Sequence, residues 1–77
     1  MKKQEFIEHL EDLLEMERGS IAEDEMLFNL EGWDSLAVMS FIAMVDEEFG
    51  ETIKAKQLAE AKSIPDLIAL VAHKLEV

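Results

Sequence analysis

The sequence is short of several features that define large classes of protein. It has no cysteine, and only seven Lys and Arg residues stand against 18 Asp and Glu residues. Without cysteine the chain can form no disulfide and needs no oxidising compartment, so we expect a cytoplasmic protein. The formal net charge of −11 repels nucleic acid phosphates and favours encounters with basic protein surfaces, so we expect no nucleic acid partner.

Long apolar runs are also missing. A membrane-spanning helix needs about 18 or more consecutive apolar residues, and the sequence has no such run. The start, Met1-Lys2-Lys3, turns polar at once, so we expect neither a membrane span nor a signal peptide. The hydrophobic content of 49% is nevertheless too high for a disordered acidic tail. We therefore expect residues 1–77 to form one small folded domain of modest stability.

Apolar spacing predicts three long helices and one short one, which is an all-α four-helix bundle. Gly19 and Ser20 are predicted to end the first helix, whereas Ser63 is the expected N-cap of the last one, with Asp66 as its capping-box acid. Between the first two helices, residues 21–34 lose the helical period but hold enough apolar residues to pack down on the core. The predicted helices are Lys3 to Glu17, Ser35 to Phe49, Ala55 to Ala61 and Ser63 to Leu75.

The chemistry of the chain is predicted at Gly32-Trp33-Asp34-Ser35-Leu36. Ser35 opens the second helix, where free backbone N–H groups and the positive end of the helix dipole favour an anion. A phosphate esterified to its hydroxyl would be stabilised there. Ser35 could instead serve only as an N-cap, but Asp34 can fill that position and leave Ser35 free.

Beyond Ser35, the same helix carries an apolar patch that the buried stripe does not explain. Leu36, Met39 and Ala43 point away from that stripe, beside Ser40 and Glu47. An exposed patch of this kind indicates a partner. The two histidines, His9 and His73, are far apart in the sequence and have no cysteine beside them, so no metal site is expected.

Together these residues resemble the acyl carrier proteins, in which a Gly-x-Asp-Ser-Leu turn enters the second of four helices. The resemblance extends in register over nearly the whole chain and includes Phe28, Leu30, the acidic stretch 46–50, Ile53 and Ser63-Ile64. It implies that Ser35 carries 4'-phosphopantetheine. It also implies that Asp34 helps to present Ser35 to a phosphopantetheinyl transferase, which brings magnesium and coenzyme A.

The resemblance further implies a free-standing, monomeric carrier without a catalytic site, which holds acyl groups as thioesters. Acyl-transferring and chain-elongating enzymes would be its other partners. Trp33, the single tryptophan, either shields the loop against the core or stays partly exposed and contacts partner enzymes or the arm. By register, the acyl cavity would be lined by Phe28, Val38, Ile42, Ile53, Leu58, Ala59, Ala61 and Ile68.

The sequence departs from housekeeping fatty-acid carriers at two surfaces. Ala37 and Ser40 stand where those carriers usually have acidic residues, and Lys54, Lys56 and Lys62 surround the third helix. The usual acidic docking surface is therefore thinned, which favours a specialised fatty-acid or polyketide-type pathway.

Two other functions stay open. One is an aminoacyl or peptidyl carrier, in many of which histidine precedes the serine, so that Asp34 favours the acyl type. The other is an unmodified helical adaptor that docks through the apolar patch. A hydrolase at Ser35 lacks a base, an acid and an oxyanion site within reach.

Overall fold

A computed structural model of the protein describes residues 1–75. Four α-helices follow one another in this part of the chain, and their arrangement confirms the predicted all-α fold with one short helix. Within the described residues, none of the helices combines the length and the apolarity that a membrane crossing requires. The helices are α1 (Lys3–Leu13), α2 (Ser35–Phe49), α3 (Ala55–Glu60) and α4 (Ile64–Val71), with 3₁₀ turns at Leu27–Asn29 and Ala72–Lys74.

The core lies where the apolar stripes of the helices meet. Phe6 of α1 packs edge-on against Phe41 of α2, with 5.9 Å between ring centroids, a favourable geometry for two aromatic rings. Both side chains are fully buried. The other buried apolar residues are Ile7, Leu10, Ile21, Leu27, Leu30, Ala37, Val45, Ile53, Leu58, Ile64, Leu67 and Val71.

Helix α2 has the bounds that the sequence predicts. Asp34 is its N-cap, and its Oδ1 atom accepts a hydrogen bond from the Ala37 backbone N–H at 2.9 Å. At the other end Gly50 adopts the left-handed conformation with φ of 66°, which glycine reaches without a steric penalty.

The prediction that α1 runs to Glu17 and stops at Gly19 is wrong, because the helix ends at Leu13. Glu15 takes the left-handed conformation with φ of 59°. The Met16 backbone N–H then donates to the Glu11 carbonyl at 2.8 Å, and that of Glu15 donates to the Asp12 carbonyl at 3.1 Å. This pair of bonds is the Schellman closure, formed here around a glutamate instead of a glycine.

The last two helices are shorter than predicted. Helix α3 stops one residue before Ala61, and α4 ends at Val71, after which the 3₁₀ turn Ala72–Lys74 replaces the expected α-helix to Leu75. Val71, with φ of −124°, interrupts the helical geometry.

Ser63 is the N-cap of α4 as predicted, and its Oγ accepts from the Asp66 N–H at 3.3 Å. The Asp66 carboxylate does not complete a capping box on Ser63, because its Oδ2 atom accepts from the Lys62 N–H at 2.9 Å. The Asp66 carboxylate therefore holds the backbone of Lys62, the residue before the N-cap.

The long loop after α1 packs down on the core as predicted. It is tied to the segment between α3 and α4 by an isolated antiparallel bridge between Met26 and Ser63. The Leu27 N–H donates to the Lys62 carbonyl at 2.9 Å, and the Ile64 N–H donates to the Glu25 carbonyl at 2.8 Å. These bonds hold the loop across one end of the bundle, where it leads into the Gly32–Leu36 turn.

Candidate functional site

Ser35 is the first residue of α2, and its side chain is exposed. Because Asp34 caps the helix through Ala37, the Ser35 hydroxyl is not needed as a cap. The N–H groups of a first helical turn have no carbonyl partner within the helix, and the dipole of this 15-residue helix adds partial positive charge at the same end. The position therefore favours a phosphate ester on the Ser35 oxygen.

The turn before Ser35 is held close to the end of α1. The Trp33 N–H donates to the Leu30 carbonyl at 3.0 Å, and the Asp34 N–H donates to the Gly32 carbonyl at 3.0 Å. A Cβ atom added at Gly32 would lie 3.3 Å from Cδ2 of Leu14. A small residue at this position thus lets the loop approach Leu14 closely and sets where α2 begins.

Trp33 is half-buried and packs edge-on against Phe41, with 5.9 Å between ring centroids. This contact fixes the residue two positions before Ser35 against the core. One side of the indole shields the core while another faces the pocket described below. The indole therefore packs on the core while partly exposed, and its contact with partner enzymes or the arm stays a prediction.

The predicted partner-binding face of α2 is open to solvent. Leu36 is 73% exposed and Met39 is 68% exposed, and Ser40, Ala43 and Glu47 are exposed with them. Large apolar side chains with this much exposure leave apolar surface in water next to Ser35. Their role in docking remains a prediction.

Ala37 does not lie on this surface. The interpretation that it thins the acidic docking face is wrong, because Ala37 is only 7% exposed and faces the interior of the bundle. An acidic residue there would place a carboxylate in apolar surroundings. Of the two departures on α2, only Ser40 lies on the exposed face.

A pocket of about 430 Å³ opens between the long loop, the start of α2 and α3. Of the residues predicted to line an acyl cavity, five lie along it, and Phe28 stands at its rim with 79% of the side chain exposed. Its lining is Met26, Leu27, Phe28, Trp33, Val38, Ala55, Leu58, Ala59, Ala61 and Lys62.

Three residues of the predicted cavity lie elsewhere. Ile53 is buried in the core, and Ile42 and Ile68 pack against that core while half-buried; none of the three lines the pocket. Sequence reasoning missed Met26, Leu27 and Trp33 because they belong to a loop without a periodic pattern. It also missed Ala55 at the start of α3 and Lys62, whose place at the pocket follows from the bridge between Met26 and Ser63.

The two histidines contact residues other than Ser35. The His73 Nε2 atom lies 2.9 Å from Oε1 of Glu51. This hydrogen bond lowers the pKa of the Glu51 carboxyl below its usual 4.5, and the positive charges of His73 and Lys74 act in the same direction. Desolvation of the carboxyl opposes them. His9 shares a shallow depression with Glu5, Glu8, Asp12 and Arg18 on α1 and the following loop. Within residues 1–75, no three His, Asp or Glu side chains are grouped as ligands for a metal ion.

Comparison with protein families supplies the identity that this geometry suggests. A family model described as a phosphopantetheine attachment site matches residues 4–71, from the first turn of α1 to the last residue of α4. Comparison with curated proteins and with solved structures found no match. An exposed serine at the positive end of a long helix, beside an apolar pocket, suits a phosphate ester that bears an arm. The chain belongs to the phosphopantetheine-attachment family, whose domains carry 4'-phosphopantetheine in covalent linkage.

Proposed function

We propose that this chain is an acyl carrier protein and that Ser35 is the residue to which the arm is attached. The observation that carries the proposal is that Asp34, and not Ser35, caps α2. Asp34 caps α2 through the Ala37 N–H at 2.9 Å, so the neighbouring hydroxyl stays exposed and available to a modifying enzyme.

The residues around Ser35 bind and orient the group that Ser35 carries. When bound, phosphopantetheine supplies a terminal thiol that holds an acyl group as a thioester. The N–H groups of the first turn of α2 and the helix dipole stabilise the negative phosphate on Ser35. The pocket is lined in part by Trp33 and Val38, on either side of Ser35 in the sequence, and can exclude water from the cargo.

We assign the reactions of the cargo to partner enzymes and no catalytic step to the carrier. His73 is paired with Glu51, and His9 lies on α1, so neither is placed in a triad with Ser35. The partners in this proposal are a phosphopantetheinyl transferase and acyl-transferring and chain-elongating enzymes of the cytoplasm. They dock on the exposed face formed by Leu36, Met39, Ser40, Ala43 and Glu47, with Trp33 beside it.

The charge of the surface supports a specialised fatty-acid or polyketide-type pathway. Ser40 leaves an uncharged position near Ser35, and Lys54, Lys56 and Lys62 place exposed positive charge around α3. Enzymes that recognise a strongly acidic carrier surface would lose complementary charge pairs here. Apolar contacts with Leu36 and Met39 then carry more of the recognition.

Intact-mass measurement tests the attachment site. The purified chain is incubated with coenzyme A, magnesium and a transferase of broad specificity, and it should gain the mass of one phosphopantetheine. Ser35→Ala should gain none. Ser40→Ala, which removes another exposed serine of the same helix, should be modified as fully as the original chain.

An unmodified original chain, tested with several transferases, would contradict the carrier proposal and favour the unmodified adaptor. Modification of Ser35→Ala would show that the arm is attached elsewhere. Circular dichroism of each variant shows whether its helices have formed.

A further inference from the structure

The N–H-bearing side chains that line the pocket beside Ser35 are hydrogen-bond donors and not acceptors. Among the described residues that line it, Lys62 alone carries a charge, and Trp33 is the other residue with a side-chain N–H. The ammonium of lysine and the indole N–H both donate hydrogen bonds and accept none. The remaining lining consists of Met, Leu, Phe, Val and Ala side chains, so a polar group of a ligand finds donors there and only the weak thioether of Met26 as a side-chain acceptor.

The side chain of Lys62 has no salt-bridge partner among the residues that the structure describes. The ion pairs within residues 1–75 use Lys3, Arg18, His73 and Lys74 as their cations, and Lys62 takes part in none of them.

The backbone of Lys62 is held in place while its side chain is exposed. Its N–H donates to Oδ2 of Asp66 at 2.9 Å, and its carbonyl accepts from the Leu27 N–H at 2.9 Å. The lysine therefore projects from a fixed point of the pocket wall, between the long loop and the start of α4. Lys56 on α3 is exposed as well but does not line the pocket.

We propose that the pocket selects acyl chains that end in a carboxylate, and that Lys62 is the residue that determines this specificity. The inference rests on the proposed function, since Ser35 must deliver the chain. The methylene groups of a dicarboxylic acyl chain pack against the apolar lining, and its distal carboxylate accepts hydrogen bonds from the Lys62 ammonium, with the Trp33 indole as a second donor. Charge-assisted bonds of this kind are stronger than those to a neutral carbonyl.

A pair of acyl groups of equal length provides the test. The protein is loaded at Ser35 with hexanoyl or with adipyl thioester, and cleavage by hydroxylamine is timed against the same thioesters on free pantetheine. For a partly exposed ion pair we expect adipyl to be protected about two- to fivefold more than hexanoyl. Fluorescence of Trp33, the single tryptophan, reports occupancy of the pocket independently.

Lys62→Met keeps an apolar stem and removes the charge. It should abolish the preference for adipyl while the hexanoyl chain stays protected, whereas Lys56→Met should retain the preference. The two backbone bonds of Lys62 do not involve its side chain, so we expect Lys62→Met to fold, and its circular dichroism checks this. Equal protection of the two chains in the original protein, or an undiminished preference in Lys62→Met, would overturn the proposal.

Failure of attachment and failure of selectivity give different results. If intact mass shows no arm on Ser35, the proposed function fails, and the pocket is then probed with free adipyl- and hexanoyl-pantetheine through Trp33 fluorescence. Tighter binding of the adipyl form that Lys62→Met abolishes supports the selectivity of the pocket. Equal binding of the two forms contradicts it.

Discussion

Glu11 of α1 holds Ile21 of the long loop through a buried hydrogen bond. The Oε2 atom of Glu11 accepts from the Ile21 N–H at 3.1 Å and from the Gly19 N–H at 2.9 Å. The carboxylate is fully buried, and its Oε1 atom has no partner among the described residues. One side chain thus satisfies two loop N–H groups and fixes the start of the loop that leads to Ser35.

Glu11→Ala should destabilise the fold strongly. Removing the carboxyl group leaves the buried Ile21 N–H and the part-buried Gly19 N–H without their acceptor, and a buried unsatisfied donor costs about 1–3 kcal/mol. We expect the free energy of unfolding in urea to fall by about 2–3 kcal/mol.

Glu8→Ala is the matched control, since it removes a glutamate side chain from the same helix and loses only an exposed pair with Arg18 at 3.7 Å. Such pairs contribute about 0–1 kcal/mol. Equal losses of stability in the two variants would mean that the buried bonds of Glu11 contribute nothing of note.

A second prediction concerns the end of α1. Glu15 has φ of 59°, and the left-handed conformation costs a residue with a Cβ about 1–2 kcal/mol. Glycine avoids this cost but loses more entropy on folding, so Glu15→Gly should raise the free energy of unfolding by up to about 1 kcal/mol. Glu15→Gln removes the same charge and keeps the Cβ. A gain in Glu15→Gln as large as in Glu15→Gly would assign the effect to charge instead of backbone strain.

The ends of the helices show which local signals the sequence makes visible. The sequence predicts the bounds of α2 correctly because Asp34 is a strong N-cap and Gly50 fills the left-handed position that ends the helix. The apolar spacing predicts an α1 that is too long, because Glu15 occupies the equivalent left-handed position and glutamate is no sequence signal for a helix end. Tertiary contacts of Met16 with the core favour a closure that local preference opposes.

The candidate site also combines residues that the sequence predicts with residues that it does not. Ser35 and Asp34 could be placed from a short motif at a helix start, since both positions depend on neighbouring residues. The pocket could not, because Met26, Trp33 and Lys62 come together through the pairing of the long loop with the segment before α4. The role of the buried Glu11 is also not predictable from the sequence, because its partners are backbone N–H groups of the loop.

A third prediction concerns the pH response of Glu51. The hydrogen bond from His73 holds the pKa of this carboxyl below its usual 4.5 in the folded chain. A pKa that is lower in the folded than in the unfolded state stabilises the fold above the unfolded pKa, and this contribution is lost as the pH falls through the folded pKa. The contribution of Glu51 to stability is therefore lost at pH values of about 4.5 and below.

NMR titration of the Glu51 carboxyl should show a midpoint below 4.5, and His73→Leu should move it upward. His9→Leu is the control, because His9 lies on α1 and has no bond to Glu51. A midpoint that does not move in His73→Leu would show that the hydrogen bond at 2.9 Å has no effect on the titration in solution.

The last prediction concerns docking of the carrier to housekeeping enzymes. Ser40 is exposed on the face of α2 that carries Leu36 and Met39, where a carboxylate would complement a basic enzyme surface. Charges at the rim of an interface act mainly on the rate of association and on its dependence on salt. We therefore expect the malonyl-loaded protein to be a poor substrate for a housekeeping ketosynthase.

Ser40→Glu should raise kcat/KM of that ketosynthase about two- to fivefold at low salt, the effect of one exposed charge pair. Screening should reduce the gain as the ionic strength rises. Ser20→Glu adds the same charge on an exposed loop residue away from α2 and should leave kcat/KM unchanged, which separates local docking from net charge. Ala37 is unsuitable as a second site because it is buried. Efficient elongation of the unaltered protein, with no gain in Ser40→Glu, would remove the argument for a specialised pathway.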